Sequence, residues 1–176
     1  MRLGLLDQFP SGVPITVLST GTQLYAREAQ QRPNLTLLPL TSDGAAMEAI
    51  ADPNALLDGL DLLSDPLAAL RALRAVPTVL RIFALVSHAA YSVTLLKFLA
   101  GDALPAAHPL AGADIDALFT QGGWRLVDRS PLIDRKVVHG PIPYAVSDRG
   151  VTLKVASPEI AERLSTAGFV VVADAQ

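Results

Sequence analysis

The run from Val79 to Val86 constrains the fold more than any other stretch, because it is apolar nearly throughout. Arg81 is the exception within it. Continuous apolar runs of this length are typical of central parallel strands that are covered on both faces. The sequence therefore predicts the central strand of a parallel sheet here.

Short apolar runs alternate with helical segments along the rest of the chain. Further strands are predicted at Ile15 to Leu18, Leu35 to Leu38, Ala55 to Leu57, Trp124 to Val127, Val151 to Val155 and Phe169 to Val172. Helices are predicted at Gln23 to Gln31, from Asp65, at Tyr91 to Leu99, at Asp114 to Gln121 and from Ser157, with a loop or short helix from Thr41 to Ile50 and a loop from Gly101 to Pro109. This alternation predicts an α/β fold of the Rossmann-like, doubly wound class, with a mostly parallel sheet. Ligands of this class bind at the carboxyl ends of the strands.

Two of the helices have clear start signals. Asp65-Pro66 and Ser157-Pro158 each place a capping side chain before a proline, which suits the first helical position. Gly122-Gly123 closes the helix that ends at Gln121. These signals fix the boundaries of three helices.

Composition excludes several classes of function. The 176 residues suit one domain, and 51% hydrophobic with 5% aromatic residues indicates an aliphatic core. The absence of cysteine excludes disulfides, thiol catalysis and cysteine-ligated metals. With a formal charge of -3 and no basic stripe, nucleic acid is not an expected partner.

Localisation is predicted from two segments. The first twelve residues lack the apolar region and cleavage site of a signal peptide, so we expect a cytoplasmic protein. The most apolar window, 78 to 104, contains charged or ionisable residues that disfavour a membrane span: Arg81, His88, Lys97 and Asp102. A mean hydropathy of +0.38 instead favours an apolar surface for self-association.

Four segments carry a resemblance to a known family. They are Asp58 to Leu70, with its Asp-Pro before Leu-Ala-Ala-Leu; Ile82 to Gly101; Ile115 to Val127, with Gly-Gly-Trp; and the terminal Phe169 to Ala173. Their order and spacing resemble the class I, S-adenosylmethionine-dependent methyltransferases found beside glycosyltransferases in bacterial glycan clusters. The resemblance implies a Rossmann-like fold and a cofactor site at the carboxyl ends of its strands.

The first half of the chain departs from that pattern. The best alignment makes Ile15 to Leu18 the second strand of the family, so the first strand and its E/DxGxGxG loop should precede Ile15, where neither is found. Ser19 then replaces the acid that would bind the ribose hydroxyls, and Leu40 or a neighbour replaces the acid after the third strand. This alignment predicts a degenerate fold that lacks its first strand and its glycine loop.

A second alignment makes Ile15 to Gly21 the first strand, with a degraded glycine loop at Ser19, Thr20 and Gly21 and an acid at Asp43. It leaves about a dozen residues for a third strand and its helices, fewer than a βαβ unit needs. We therefore prefer the first alignment. In both, the loop lacks glycines that would let the backbone approach the cofactor.

Candidate site residues follow from the predicted carboxyl ends. Ser19, Thr20, Gly21 and Asp58 are candidates for cofactor contact, and His88 and Tyr91 for substrate contact, with His88 also a possible general base. Asp65 is explained as a helix cap, and Asp58 and Asp61 can equally be read as a solvated turn.

Other conspicuous side chains have simpler explanations. His108 and His139 lie in predicted loops without a second ligand at metal spacing, so no metal is expected. Trp124 is explained by core packing, and Tyr144 is a candidate for a dimer or substrate surface.

Three functions follow from these observations. The leading hypothesis is a non-catalytic, methyltransferase-like subunit for binding or assembly, which forms a homodimer or joins a protein partner through an uncovered sheet edge. The second is an S-adenosylmethionine-dependent methyltransferase acting on a sugar or small metabolite, with His88 as the base and Asp58 near the cofactor. The third is an unrelated small α/β protein.

Overall fold

The computed structural model describes Leu6, Phe9, Pro10 and residues 12–88, 91–99, 112–133, 144–148 and 151–176. Its strands are β1 (Ile15–Ser19), β2 (Leu35–Pro39), β3 (Asn54–Asp58), β4 (Arg81–Ser87), β5 (Trp124–Ile133), β6 (Tyr144–Asp148), β7 (Val151–Val155) and β8 (Thr166–Ala175). Its α-helices are α1 (Ala26–Gln31), α2 (Pro66–Arg74), α3 (Ser92–Leu99), α4 (Gly112–Gln121) and α5 (Pro158–Ser165). Short 3₁₀ turns follow β1, β2 and β3, at Thr22–Leu24, Met47–Ala49 and Leu60–Leu62.

Six strands form the main sheet in the order β2-β1-β3-β4-β8-β5. The first four are parallel, whereas β8 runs antiparallel to both β4 and β5. The predicted Rossmann-like fold class with a mostly parallel sheet is therefore confirmed.

The position of β1 is the same in both alignments. In the usual doubly wound order the first strand lies between the second and the fourth. β1 pairs directly with β2 on one side and with β3 on the other, so no strand separates them. The preferred alignment omits the first strand, so its second and fourth strands meet in this way. The second alignment gives the same order, with β1 as the first strand and the described sheet ending at β2, where an outer third strand would lie.

Local capping explains why two helices begin where the sequence predicts. Asp65 Oδ1 accepts a hydrogen bond from Ala68 N at 2.9 Å, and Ser157 Oγ accepts one from Ile160 N at 3.3 Å. Both caps satisfy backbone donors that the first helical turn leaves free. At the end of α4, Gly123 has a φ of 83°, a left-handed conformation that glycine adopts without strain.

The two faces of β4 are covered unequally. Ile82, Ala84 and Val86 are fully buried under α2 and α4, whereas Phe83 and Leu85 on the other face are only half-buried. The expectation that both faces of this strand are covered is therefore correct for one face only.

The main core lies on the first of these faces. It joins β1, β3, β4 and β8 to α2 and α4, with Trp124 and Phe119 as its largest side chains. A smaller cluster on the opposite face packs Tyr25, Leu6 and Phe9 against Val17, Leu56 and their neighbours. This second cluster covers β1 and β3 and ends at Phe83.

The C-terminal third differs most from prediction. β7 pairs with β6 in a separate antiparallel hairpin that packs against α3, and the sequence did not predict β6, which contains Tyr144. β5 and β8 are each ten residues long, longer than predicted. The predicted loop from Gly101 to Pro109, His108 and His139 lie outside the described residues.

No helix in the described parts of the chain combines the length and apolar character needed to cross a bilayer.

Candidate functional site

The carboxyl ends of β1, β3 and β4 lie side by side at one end of the sheet. Ser19 pairs with Asp58 across β1 and β3, and Asp58 pairs with Leu85 across β3 and β4. In a doubly wound fold this end is where ligands bind. Ser19 and Asp58 of the predicted site therefore lie at the end of the sheet where this fold binds ligands.

The Ser19 hydroxyl joins the ends of β1 and β3. It donates to Asp58 Oδ2 at 3.3 Å and accepts from Gly21 N at 3.0 Å. Both side chains are buried, with 1% of Ser19 and 2% of Asp58 exposed. The predicted solvated turn is thus wrong for Asp58, and also for Asp61, which is 3% exposed. Buried carboxylates need hydrogen bonds, and Ser19 supplies one.

The backbone of the loop after β1 is also directed inward. Thr20 N donates to the Asp58 carbonyl at 3.2 Å, while Gly21 N is bonded to Ser19 Oγ. These are the loop amides that would have to face a ligand bound in the crevice. The Thr20 amide extends the pairing of β1 with β3, and the Gly21 amide bonds to the side chain two residues before it.

The Thr20 side chain occupies the space above the end of β3. Gly59 has a φ of 89°, and a Cβ built on it would lie 2.1 Å from Thr20 Oγ1. Only glycine fits there, because any larger residue would be strained and would collide with Thr20. Thr20 itself is exposed, so its side chain covers Gly59 at the rim of the crevice and not in its interior.

The helix after this loop is short. The loop continues into the 3₁₀ turn at Thr22–Leu24, and α1 then has six residues with no side-chain cap at its first turn. A long helix whose amino end points at the loop would help to bind an anionic group. α1 begins five residues after Gly21, and as a helix of six residues it contributes little of this field.

His88 lies apart from the Ser19–Asp58 pair. It is three residues beyond Leu85, the partner of Asp58, which corresponds to about 10 Å along the strand. Its backbone N donates to Ala167 O at 3.1 Å, and its ring meets that of Phe169 edge-on at 5.2 Å. The predicted site is therefore divided into a Ser19–Asp58 part and a His88 part that rests on β8.

The contacts of the His88 ring fix its hydrogen-bonding role. Nδ1 lies 3.3 Å from the carbonyl of Thr166, so the neutral ring carries its proton on Nδ1 and leaves Nε2 as an acceptor. The side chain is 9% exposed. Tyr91 follows in the turn that leads to α3, where its N donates to His88 O at 3.2 Å. The sequence did not indicate the role of Thr166, because it is 78 residues away in the chain.

Two further residues have the structural roles that the sequence predicted for them. Asp65 caps α2, and Trp124 is fully buried with its indole N–H donating to Leu70 O at 3.0 Å. Within the described residues, no group of three or more His, Cys, Asp or Glu side chains could hold a metal ion.

Comparison with solved structures identifies the fold. An S-adenosylmethionine-dependent methyltransferase from Archaeoglobus fulgidus matches with a TM-score of 0.62 at 10% identity, over 98% of this chain and 91% of that one. A chain from the complex between the Haloferax volcanii Trm112 methyltransferase activator and a putative methyltransferase matches with a TM-score of 0.59 at 12% identity, over 99% and 87%. An S-adenosylmethionine-dependent methyltransferase from Mesorhizobium loti matches with a TM-score of 0.54 at 13% identity, over 98% and 96%.

Sequence comparisons add nothing to this result. No family model matches the chain, and no curated protein is significantly similar to it. At sequence identities of 10 to 13%, these similarities show a shared fold and nothing about activity. The chain has the Rossmann-like fold of the class I, S-adenosylmethionine-dependent methyltransferases.

Proposed function

We propose that this chain is a methyltransferase-like protein without methyl-transfer activity that serves as a binding or assembly subunit. The observations that carry the proposal are the Thr20 side chain over Gly59 and the buried Ser19–Asp58 hydrogen bond at the ends of β1 and β3. The residues present do not fit S-adenosylmethionine in the usual way, because side chains stand where a glycine loop would leave room.

The energetic deficit supports the same conclusion. A cofactor in this crevice would find Ser19 in place of the acid of the E/DxGxGxG loop. Each charge-assisted hydrogen bond to that acid is worth about 1.5 to 3 kcal/mol. Losing one such bond weakens binding by roughly tenfold to a hundredfold.

An assembly role has a parallel among the similar structures. One of them is a complex of a methyltransferase activator with a putative methyltransferase. We infer that the present chain likewise works in association with another chain, either a second copy of itself or a different protein. Its mean hydropathy of +0.38 supports an apolar contact surface.

Isothermal titration with S-adenosylhomocysteine tests the proposal. We expect no heat of binding at millimolar ligand from protein that circular dichroism shows to be folded. Saturable micromolar binding, equivalent to about -8 kcal/mol, would overturn it. Asp58→Asn and Asp174→Asn form a matched pair for locating any heat, because these carboxylates lie at opposite ends of the sheet.

The position of the candidate residues supports a second function. Ser19 and Asp58 end parallel strands and His88 follows one, so all three lie at the sheet end where this fold binds ligands. The alternative is therefore an S-adenosylmethionine-dependent methyltransferase for a sugar or small metabolite, with Asp58 near the cofactor and His88 Nε2 as the base. Micromolar titration heat that Asp58→Asn abolishes would favour it.

A further inference from the structure

Two cavities meet at the amino-terminal end of β4, away from the crevice. The larger is a groove of about 500 Å³ over β4, β8 and β5, with the segment around Phe9 as one wall. The smaller has a volume of about 410 Å³ and lies beside the start of β4 and the end of β8. Arg81 and Asn54 line both cavities. The two cavities therefore adjoin, and Arg81 stands at their junction.

The pairing of β4, β8 and β5 arranges the side chains of this face in rows. Alternate residues of a strand share a face, and the register shift at Val127 keeps Arg125 and Asp128 of β5 on the same one. Three rows follow one another along the strands: Arg81–Asp174–Arg125, Phe83–Val172–Asp128 and Leu85–Val170–Ser130. Successive rows are about 6.7 Å apart. The first row is ionic, whereas the second and third rows are apolar on β4 and β8.

The apolar part of the groove suits a small hydrophobic group. The rings of Phe83 and Phe9 meet edge-on with their centroids 4.6 Å apart, and Val170 and Val172 continue the floor. These four side chains are only half-buried, so each keeps apolar surface that a ligand can cover. Sites for small molecules are mostly apolar clefts of about 300 to 1,000 Å³. The groove has a volume in that range, and its first and third rows are about 13 Å apart.

The first row carries an excess of positive charge. Arg81 Nε and Nη2 donate to Asp174 Oδ1 and Oδ2 at 2.7 and 3.1 Å, and Arg125 Nη2 donates to Oδ2 at 3.2 Å. Two guanidinium groups thus share one carboxylate, which leaves the row with one positive charge in excess. The side chains of Arg81 and Arg125 are 46% and 66% exposed. Because a guanidinium has about five N–H donors, donors remain for a second carboxylate.

Asp128 sets the direction in which an anionic ligand can lie. It lines the groove from the outer strand β5, and its Oδ2 accepts a hydrogen bond from Ser130 Oγ at 2.8 Å. A carboxylate over the second row would meet this like charge, whereas one over the first row meets Arg81 and Arg125. The favoured ligand therefore has its negative charge at the first row and an uncharged, apolar body over the second and third rows.

We propose that the groove and the cavity beside it bind an amphipathic carboxylate, a small ligand with one carboxylate head and an apolar body. The head lies against Arg81 and Arg125, whose planar guanidinium groups match the geometry of a carboxylate. The body lies over Phe83 and Val172. The site contains none of the crevice residues and lies away from the carboxyl ends of the parallel strands. Ligand binding here is therefore independent of whether the crevice binds a cofactor.

Titration of the full chain with decanoate, below its micelle concentration, tests this site. An extended chain of about ten carbons is about 12 Å long, close to the separation of the first and third rows. In a two-dimensional ¹H–¹⁵N spectrum we expect saturable shifts of the Arg125 and Val172 amides. Decanol has the same body without the charge and should bind at least about tenfold more weakly. Equal affinities for the two compounds, or no saturable shifts with decanoate, would overturn the proposal.

Matched variants locate the head and the body of the ligand. Arg125→Gln leaves the Arg81–Asp174 bonds in place, and it should weaken decanoate binding about tenfold without changing that of decanol. Arg71→Gln is the control and should bind as the native protein does, since Arg71 is exposed on α2, which packs on the other face of the sheet. Val172→Glu, shown to be folded by circular dichroism, should bind neither compound. Equal losses in the two arginine variants, or native binding by Val172→Glu, would show that this site is wrong.

Discussion

Two regions of the main sheet have opposite characters. At the carboxyl end of β1 and β3, where this fold usually binds its ligand, Ser19 and Asp58 are buried and bonded to each other, and Thr20 lies over Gly59. Over β4 and β8, where this fold usually packs helices, Phe83 and Val172 are half-buried and line a groove.

This difference shows that a shared fold need not preserve a shared site. The main core beneath α2 and α4 is complete, so the fold does not depend on a ligand in the crevice. The residues of a ligand site can change without loss of the fold, because other residues hold the sheet and helices together. Among the described residues, the polar side chains at the ends of β1 and β3 are bonded to one another, whereas the apolar side chains over β4 and β8 are only half-buried.

The largest expected effect concerns the closure of the crevice. Gly59→Ala should destabilise the protein by about 3 kcal/mol, because the left-handed backbone costs about 1 to 2 kcal/mol and the clash with Thr20 adds to it. Urea denaturation measures the change. Gly12→Ala is the control, since nothing lies within 4 Å of its added Cβ. The double variant Thr20→Gly, Gly59→Ala should regain the steric part, and equal losses in both would show that Thr20 does not fill this space.

A pair of neighbouring valines compares the two faces directly. Val171 is fully buried in the main core, whereas Val172 lines the groove. At a concentration where the chain is monomeric, Val171→Ala should cost about 2 kcal/mol and Val172→Ala about 0.5 kcal/mol or less. Equal costs in thermal or urea unfolding would mean that the face over Val172 is covered in the monomer.

The sequence predicts a feature well when the interacting residues are close together along the chain, and poorly when they are far apart. The starts of α2 and α5 were predicted correctly because Asp65 and Ser157 bond to amides three residues away. The direct pairing of β1 with β3 was not predicted, because Ser19 and Asp58 at their ends lie 39 residues apart along the chain. The length of β5 was missed because its polar residues and Pro131 are acceptable only at a sheet edge.

The candidate site was predicted in composition but not in arrangement. Ser19, Asp58 and His88 all lie at strand ends as expected. Their partners are distant in sequence, with Ser19 and Asp58 separated by 39 residues and His88 and Thr166 by 78. Local patterns therefore identified these residues. The position of Thr20 over Gly59 and the distance between Asp58 and His88 could be seen only in the structure.

The Ser19 hydroxyl provides a smaller test of the closed crevice. Ser19→Ala should cost about 1 kcal/mol, because the buried Asp58 carboxylate loses a donor and the Gly21 amide loses an acceptor. Ser130→Ala removes a similar bond to Asp128 at an exposed position and should cost a few tenths of a kcal/mol. Equal effects on urea unfolding would mean that the crevice is as wet as the surface.

The smallest expected effect is a pH dependence at the rim of the groove. The hydrogen bond from Arg81 holds the pKa of Asp174 below its ordinary value, so the bond stabilises the fold above that value and is lost as pH falls through the lowered one. The stability advantage of the native protein over Asp174→Asn should therefore shrink as pH falls below about 4. A difference that stays constant between neutral and acidic pH would show that the Arg81 contact does not form in solution.

The most direct test of the closed crevice follows the amides of Thr20, Gly21 and Gly59 in a two-dimensional ¹H–¹⁵N spectrum during titration with S-adenosylhomocysteine. We predict that these signals do not move at millimolar ligand and that the Thr20 and Gly21 amides exchange slowly with solvent, because they are bonded to Asp58 O and Ser19 Oγ. Shifts of these three amides that saturate at micromolar ligand would show that the crevice opens and binds the cofactor, and would contradict the account.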